Sequence, residues 1–291
     1  MYQEKLITGN RIIYKKIYFM GNLDKFKTVV LIIGLIVFGS CGRKIKKEDP
    51  NHIKVGIESG LEYKVAEVAQ KIAKEKYGLT VELVQFTDYI MPNVALSQGD
   101  IDVNAYQHKP YLDVQSKERG YNFAIVGNTF VYPIAGYSKK IKKLNELKDE
   151  STIVIPNDPT NEGRSLLLLQ KQGLIKLKAG TGILPNVSDI QSNPKHLKIV
   201  ELEAPQLPRA LDDQNVAIAI INSNFSAQAG LMANRDGIFV EDKESPYVNL
   251  IVARMDNKNE DKVRKFVQAY QSPEVAKAAQ EEFKGGAIKG W

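Results

Sequence analysis

One cysteine, Cys41, stands in 291 residues, so no disulfide can close within the chain. Histidine is nearly as scarce: His52, His108 and His196 are the only three, at spacings that suit no metal ligand set. There is no G-x-S-x-G nucleophile elbow and no glycine-rich loop that would cradle phosphates. Enzymatic chemistry therefore has little to use, and neither a cofactor nor a metal is expected; carboxylates paired only by folding are the arrangement left open. A bilayer-spanning run is also lacking. The uninterrupted stretch at residues 29–38 (VVLIIGLIVF) is half the roughly 20 residues a spanning helix needs. The net charge of +6 is misleading, because residues 1–40 hold six Lys/Arg against two Asp/Glu and supply +4 of it. The +2 that remains gives no clustered basic face, and no nucleic-acid partner is expected.

What is present at the start reads as an export signal. Lys25 and Lys27 precede the apolar run, and Gly39 and Ser40 lead into Cys41. A basic region, a short apolar core and a small-residue exit are the parts of a secretory signal peptide. We read residues 1–40 as that signal, with Met20 a plausible true start. Residues 41–52 follow as a lipidated cysteine and polar linker, since a cysteine directly after small residues resembles a bacterial lipobox. The alternative is a short anchor that is never cleaved. The expected location is the cell membrane, lipid-anchored, with the rest facing the periplasm or the cell exterior.

The remaining stretch of about 240 residues suits two lobes rather than one small core. Residues 53–57 alternate apolar and polar like a strand, and residues 61–77 place Val65, Val68, Ala69, Ile72 and Ala73 on one helical face. Gly78, Gly99 and Gly120 each stop a helical stretch where a C-cap glycine belongs. Strands alternating with helices at this spacing indicate parallel-type α/β layers. The pattern resets after Tyr132-Pro133, and residues 247–254 (YVNLIVAR) read as a strand returning to the first lobe. The expected division is residues 53–133 plus 246–291 as lobe 1 and 134–245 as lobe 2. Ligands of such lobes bind at the carboxyl ends of strands, in the cleft between them.

Two constellations carry candidate chemistry. In residues 158–165 (DPTNEGRS), Thr160 or Asn161 can cap a helix whose free N–H groups attract an anion. Arg164 near that start opposes the helix dipole, which makes sense if it forks onto a bound carboxylate. A solvated Arg164, or one paired with Glu162 or Asp158, is the level alternative. The other constellation is aromatic: Tyr89, then Tyr106, His108 and Tyr111. Tyr106 and His108 lie two apart at a strand end and can face one side. Rings around a slender side chain suit an apolar or sulfur-bearing ligand, although core aromatics with a hydrogen-bonded histidine are the commoner reading of such a cluster. Asn222 and Asn249 are read as closing their strands and offering neutral hydrogen bonds.

Longer segments carry a resemblance. GDIDVNAYQHKPYLD at 99–113, GNTFVYPIAGYSKKIK at 127–142, PNDPTNEGRSLLLLQK at 156–171, ELEAPQLPRALDD at 201–213 and DGIFVEDKESPYVNLIV at 236–252 resemble the methionine-binding lipoproteins of bacterial ABC importers, the NlpA lipoprotein family. The resemblance spans residues 52–291 and implies a type II periplasmic binding protein, two α/β lobes closing on a ligand. It implies that the ligand carboxylate and amine are held at Arg164, Asn161, Asn222 and Asn249. It implies a side-chain pocket at Tyr89, Tyr106, His108 and Tyr111, with Tyr106 standing where the family often has Phe. The implied function is capture of L-methionine and its delivery to an ABC permease and ATPase complex, without catalysis. A same-fold receptor for another amino acid or a methionine-containing peptide, and a surface lipoprotein acting in adhesion, are the rival readings.

Overall fold

The computed structural model describes residues 49–242 and 245–291. The signal, Cys41 and most of the linker lie outside the described residues. Among those described, no helix is long and apolar enough to cross a membrane.

The chain begins with β1 (His52–Glu58), α1 (Leu61–Tyr77) and β2 (Thr80–Phe86). It continues through α2 (Met91–Gln98), β3 (Val103–His108), α3 (Lys109–Arg119) and β4 (Phe123–Val131). Gly78, Gly99 and Gly120 close the three helices in the left-handed conformation, which glycine adopts without a Cβ penalty. After Tyr132 the chain enters a second sheet built from β5 (Ala135–Tyr137), β6 (Thr152–Pro156), β9 (Lys198–Leu202), β10 (Val216–Ile221) and β11 (Phe239–Val240). Between β6 and β9 run α4 (Pro159–Lys171) and a two-stranded ribbon, β7 (Lys176–Leu177) with β8 (Ile190–Ser192). α5 (Ser223–Gln228) follows β10. The chain then returns through β12 (Val248–Arg254), α6 (Asp261–Tyr270), α7 (Pro273–Glu282) and β13 (Ile288–Lys289).

Two sheets result, ordered β13-β4-β12-β3-β1-β2 and β11-β5-β10-β6-β9. The first draws its strands from both ends of the described chain, and the second wholly from the stretch between. Neither sheet is all parallel, as the helix–strand alternation had suggested. β1 pairs in parallel with β2 and β3, but β12 runs antiparallel to both β3 and β4. The direction of β12 is set by its entry from the second lobe, which no local pattern encodes.

Each sheet is covered on both faces, so strands such as β10 (VAIAII) are apolar almost throughout. In lobe 1, α1, α6 and α7 bury Val65, Ala69, Phe266 and Val275 against one face, while Leu96, Ile101 and Leu112 fill the other. In lobe 2, Leu166, Leu168 and Leu169 of α4 cover one face, and Leu207 and Phe225 the other. Gly163 has a packing reason to be glycine: a Cβ there would stand 2.8 Å from the Ile183 carbonyl. The 183–185 loop therefore lies directly on α4.

Candidate functional site

The carboxyl ends of β3, β6 and β10 and the amino end of β12 converge on one cavity between the lobes. Tyr89, Tyr106, His108, Tyr111, Asn161, Arg164, Asn222 and Asn249 all line it. Glu62, Gln107, Tyr132, Ser223 and Asn224 line it as well.

The lobe 1 wall is aromatic. Tyr89 sits before α2, with its ring centroid 6.1 Å from that of Tyr106 and 6.0 Å from that of Tyr111. The Tyr106 and Tyr111 hydroxyls both donate to the Tyr89 carbonyl, at 2.9 and 2.8 Å. The three rings are thereby locked to one another, and the extra hydroxyl of Tyr106 is spent inside the wall. His108 ends β3 and is also the N-cap of α3, its Nδ1 accepting the Tyr111 N–H at 3.2 Å. That bond leaves the proton on Nε2, 3.5 Å from the Asn161 Oδ1 of the other lobe. Burial, with the Arg164 charge adding to it, lowers the His108 pKa to about 3, so the ring is neutral at physiological pH. Burial holds the Tyr89 and Tyr106 hydroxyls protonated.

The lobe 2 wall is made of amides and one guanidinium. The N-cap of α4 is Asp158, not Thr160 or Asn161: its carboxylate accepts the Asn161 backbone N–H at 3.0 Å. The same carboxylate accepts the Asn161 side-chain amide, and Asn161 Oδ1 accepts Asn222 Nδ2 at 2.8 Å. A short polar chain thus aims Asn161 and Asn222 into the cavity, while Asn222 Oδ1 is buried without a partner among the described residues. Asn222 follows β10 as expected. Asn249 instead comes from the lobe 1 side, at the start of β12, and donates to the Tyr106 carbonyl at 2.9 Å.

Arg164 departs most from expectation. It lies in the second turn of α4, 4 % exposed, and is neither solvated nor paired with Glu162 or Asp158. Glu162 turns away to the Val187 N–H. Arg164 Nε donates to Glu241 Oε1 at 2.9 Å, and Nη2 donates to Glu241 Oε2 and to the Tyr132 carbonyl. Its guanidinium carbon lies 4.3 Å from the Tyr247 ring centroid. Tyr132 and Glu241 belong to the two crossovers between the lobes, which are hydrogen-bonded side by side at Ile134 and Glu241, so Arg164 is fixed to both. Its Nη1 edge carries no bond among the described residues, leaving two donors for a ligand.

Sequence reading passed over Glu62, Tyr132, Asn224 and Glu241. Glu62 was within reach, since it falls on the face of α1 that carries Val65, Ala66 and Ala69. A carboxylate on a buried face is unusual. Among the described residues, no group of three or more His, Cys, Asp and Glu side chains could hold a metal.

Known proteins share this architecture. A profile of the NlpA lipoprotein family matches residues 53–291. The D-methionine-binding lipoprotein MetQ of Escherichia coli K12 is 66 % identical over 270 residues, covering 92 % of this chain and 99 % of that protein. A crystal structure of the methionine binding protein MetQ aligns with TM-score 0.83 and 70 % identity, over 84 % of this chain and 99 % of that one. A nutrient binding protein from Burkholderia cenocepacia, solved bound to methionine, aligns with TM-score 0.80 and 49 % identity over 82 % and 100 %. The two-lobed fold is that of a type II periplasmic binding protein, and the chain belongs to the NlpA lipoprotein family.

Proposed function

We propose that this protein is an extracytoplasmic receptor that binds methionine in the interlobe cavity and delivers it to an ABC importer. The observation that carries the reading is the division of the cavity, with locked aromatic rings on one wall and a guanidinium edge with amides on the other. A thioether side chain packs favourably against ring edges. An amino-acid carboxylate suits Arg164 Nη1 and the amides of Asn161, Asn222 and Asn249, because charge-assisted donors in a water-poor site bind anions strongly. The relatives, MetQ and a protein solved bound to methionine among them, point to methionine rather than to another amino acid.

Residues 1–40 serve as the export signal, and Cys41 carries the lipid that holds the receptor at the membrane, facing outward. Tethering raises the effective concentration of encounter with a permease and its ATPase. No bond of the ligand is broken.

Calorimetry of the purified protein, stripped of ligand by unfolding and refolding, tests the reading against a panel of amino acids and both methionine enantiomers. Methionine is expected to bind one to one and to stabilise the fold by about 2.7 kcal/mol at 100 times its dissociation constant. Absence of binding by every amino acid would refute it.

A further inference from the structure

Methionine carries an ammonium as well as a carboxylate, and the positions implied by family resemblance include no acid to balance it. The cavity contains one. Glu62, at the start of α1, lines it beside Tyr132, Ser223 and Asn224 and is only 4 % exposed. Its carboxylate has neither a hydrogen bond nor an ion pair to any described residue, and burial alone perturbs it. A buried carboxyl without a partner is costly to keep, and no neighbour offsets the cost. Of the other carboxylates at this end, Asp158 caps α4 and Glu241 is held by Arg164, while Glu58 is unpartnered but does not line the cavity. The cavity also presents the unpartnered Asn222 Oδ1, a second buried acceptor.

We propose that Glu62 is the counter-ion for the α-ammonium of the bound amino acid, with Asn222 Oδ1 as an additional acceptor. The inference rests on the cavity being an amino-acid site. It narrows the ligand class to compounds with a free α-amino group, excluding deaminated and N-acylated analogues.

A proton balance follows. The groups that face Glu62 electrostatically are Glu58 from the end of β1, Tyr89, Tyr132 from the crossover and Tyr270 of α6. The three tyrosines are held neutral by burial, and Glu58 is itself pushed well above the usual carboxylate range. With burial raising its own pKa to about 8, Glu62 is largely protonated at pH 7 before ligand arrives. The ammonium stabilises the ionised form, so binding releases the proton.

The test compares methionine with 4-(methylthio)butanoate, which keeps the thioether and carboxylate but lacks the amine. Wild-type protein should favour methionine strongly. In Glu62→Gln the methionine affinity should fall about 10- to 100-fold, as expected for loss of a charged hydrogen-bond partner, while the deaminated acid binds no worse. An unchanged ratio between the two ligands in Glu62→Gln overturns the inference and leaves the methionine reading standing. A wild-type protein that binds no amino acid overturns both. If Glu62→Gln does not fold, wild-type calorimetry at pH 7 in buffers of different ionisation enthalpy decides. Release of half a proton or more per methionine supports the assignment, and no release removes it.

Discussion

The two walls of the cavity solve the problem of burying polar groups in opposite ways. On lobe 1, the Tyr106 and Tyr111 hydroxyls converge on a single carbonyl of Tyr89, and the Tyr89 hydroxyl donates to Asn224 across the cleft at 2.6 Å. Those donors are spent, and what faces the ligand is ring surface. On lobe 2, the network is left incomplete. Arg164 keeps its Nη1 edge and Asn222 its Oδ1 without partners among the described residues. Buried polar groups are nearly always satisfied, so these unfinished groups, with the Glu62 carboxylate that lobe 1 adds beside its finished ring wall, mark where a ligand's polar atoms belong. A second buried ion pair makes the same point. Asp102 accepts Lys262 Nζ at 2.8 Å and the Lys54 backbone N–H at 2.7 Å, inside lobe 1. That pair is structural, whereas Arg164 with Glu241 is structural on one edge and open on the other.

The contrast can be broken experimentally. The largest effect is expected at Arg164. Arg164→Ala should abolish methionine binding and also cost up to about 3 kcal/mol of stability, because the partly buried Glu241 loses its guanidinium and keeps only the Ile134 N–H. Arg164→Lys separates the two roles. It keeps a charge near Glu241 and loses the fork, so affinity should fall about 100-fold with a much smaller loss in chemical denaturation. Asp102→Ala should destabilise by about 3–5 kcal/mol, yet refolded protein should titrate with methionine as the wild type does. If it does not, the two ion pairs are not distinct in kind.

Smaller effects probe the acids and the rings. Glu58 is fully buried with both carboxylate oxygens unpartnered. Glu58→Met removes that desolvation cost and should raise stability by about 1–3 kcal/mol. A drop in the thermal midpoint would mean that the carboxyl has a partner after all. For Glu62, the folded pKa is raised from 4.5 to about 8 by burial. Its contribution to stability is therefore fully present below pH 4.5 and lost as pH rises through 8. Ligand-free protein should lose thermal stability over that window, and Glu62→Gln should flatten the loss. His108 works in the opposite direction. Its pKa is lowered to about 3, so its contribution is present above its unfolded value near 6.5 and lost as pH falls toward 3. The smallest change is expected for Tyr106→Phe, which removes only the bond to the Tyr89 carbonyl. About 0.5–1.5 kcal/mol of stability should go, and methionine affinity should move less than threefold. A large loss of affinity would show that this hydroxyl serves the ligand and not the wall.

Much of the fold was legible because its punctuation is local. Leu61–Tyr77 and Lys109–Arg119 are helices with the bounds that hydrophobic period and terminal glycines indicate, and Val216–Ile221 is the strand its apolar run suggests. The short strands Ala135–Tyr137 and Ile288–Lys289 were missed, since two or three residues hold no period. The residues of the ring wall were also legible, because Tyr106, His108 and Tyr111 are close in sequence. The surroundings of Arg164 were not: Glu241 lies 77 positions away and Tyr132 lies 32 away. Only the two crossovers bring them together. Asp158 rather than Thr160 became the cap because Pro159 takes the first helical position, where its missing N–H costs nothing.

The crystal structure of the methionine complex tests the two-wall account most directly. The account predicts the thioether among the rings of Tyr89, Tyr106 and Tyr111, and the carboxylate on Arg164 Nη1. A ligand bound the other way round, or a carboxylate that does not touch Arg164, would contradict it.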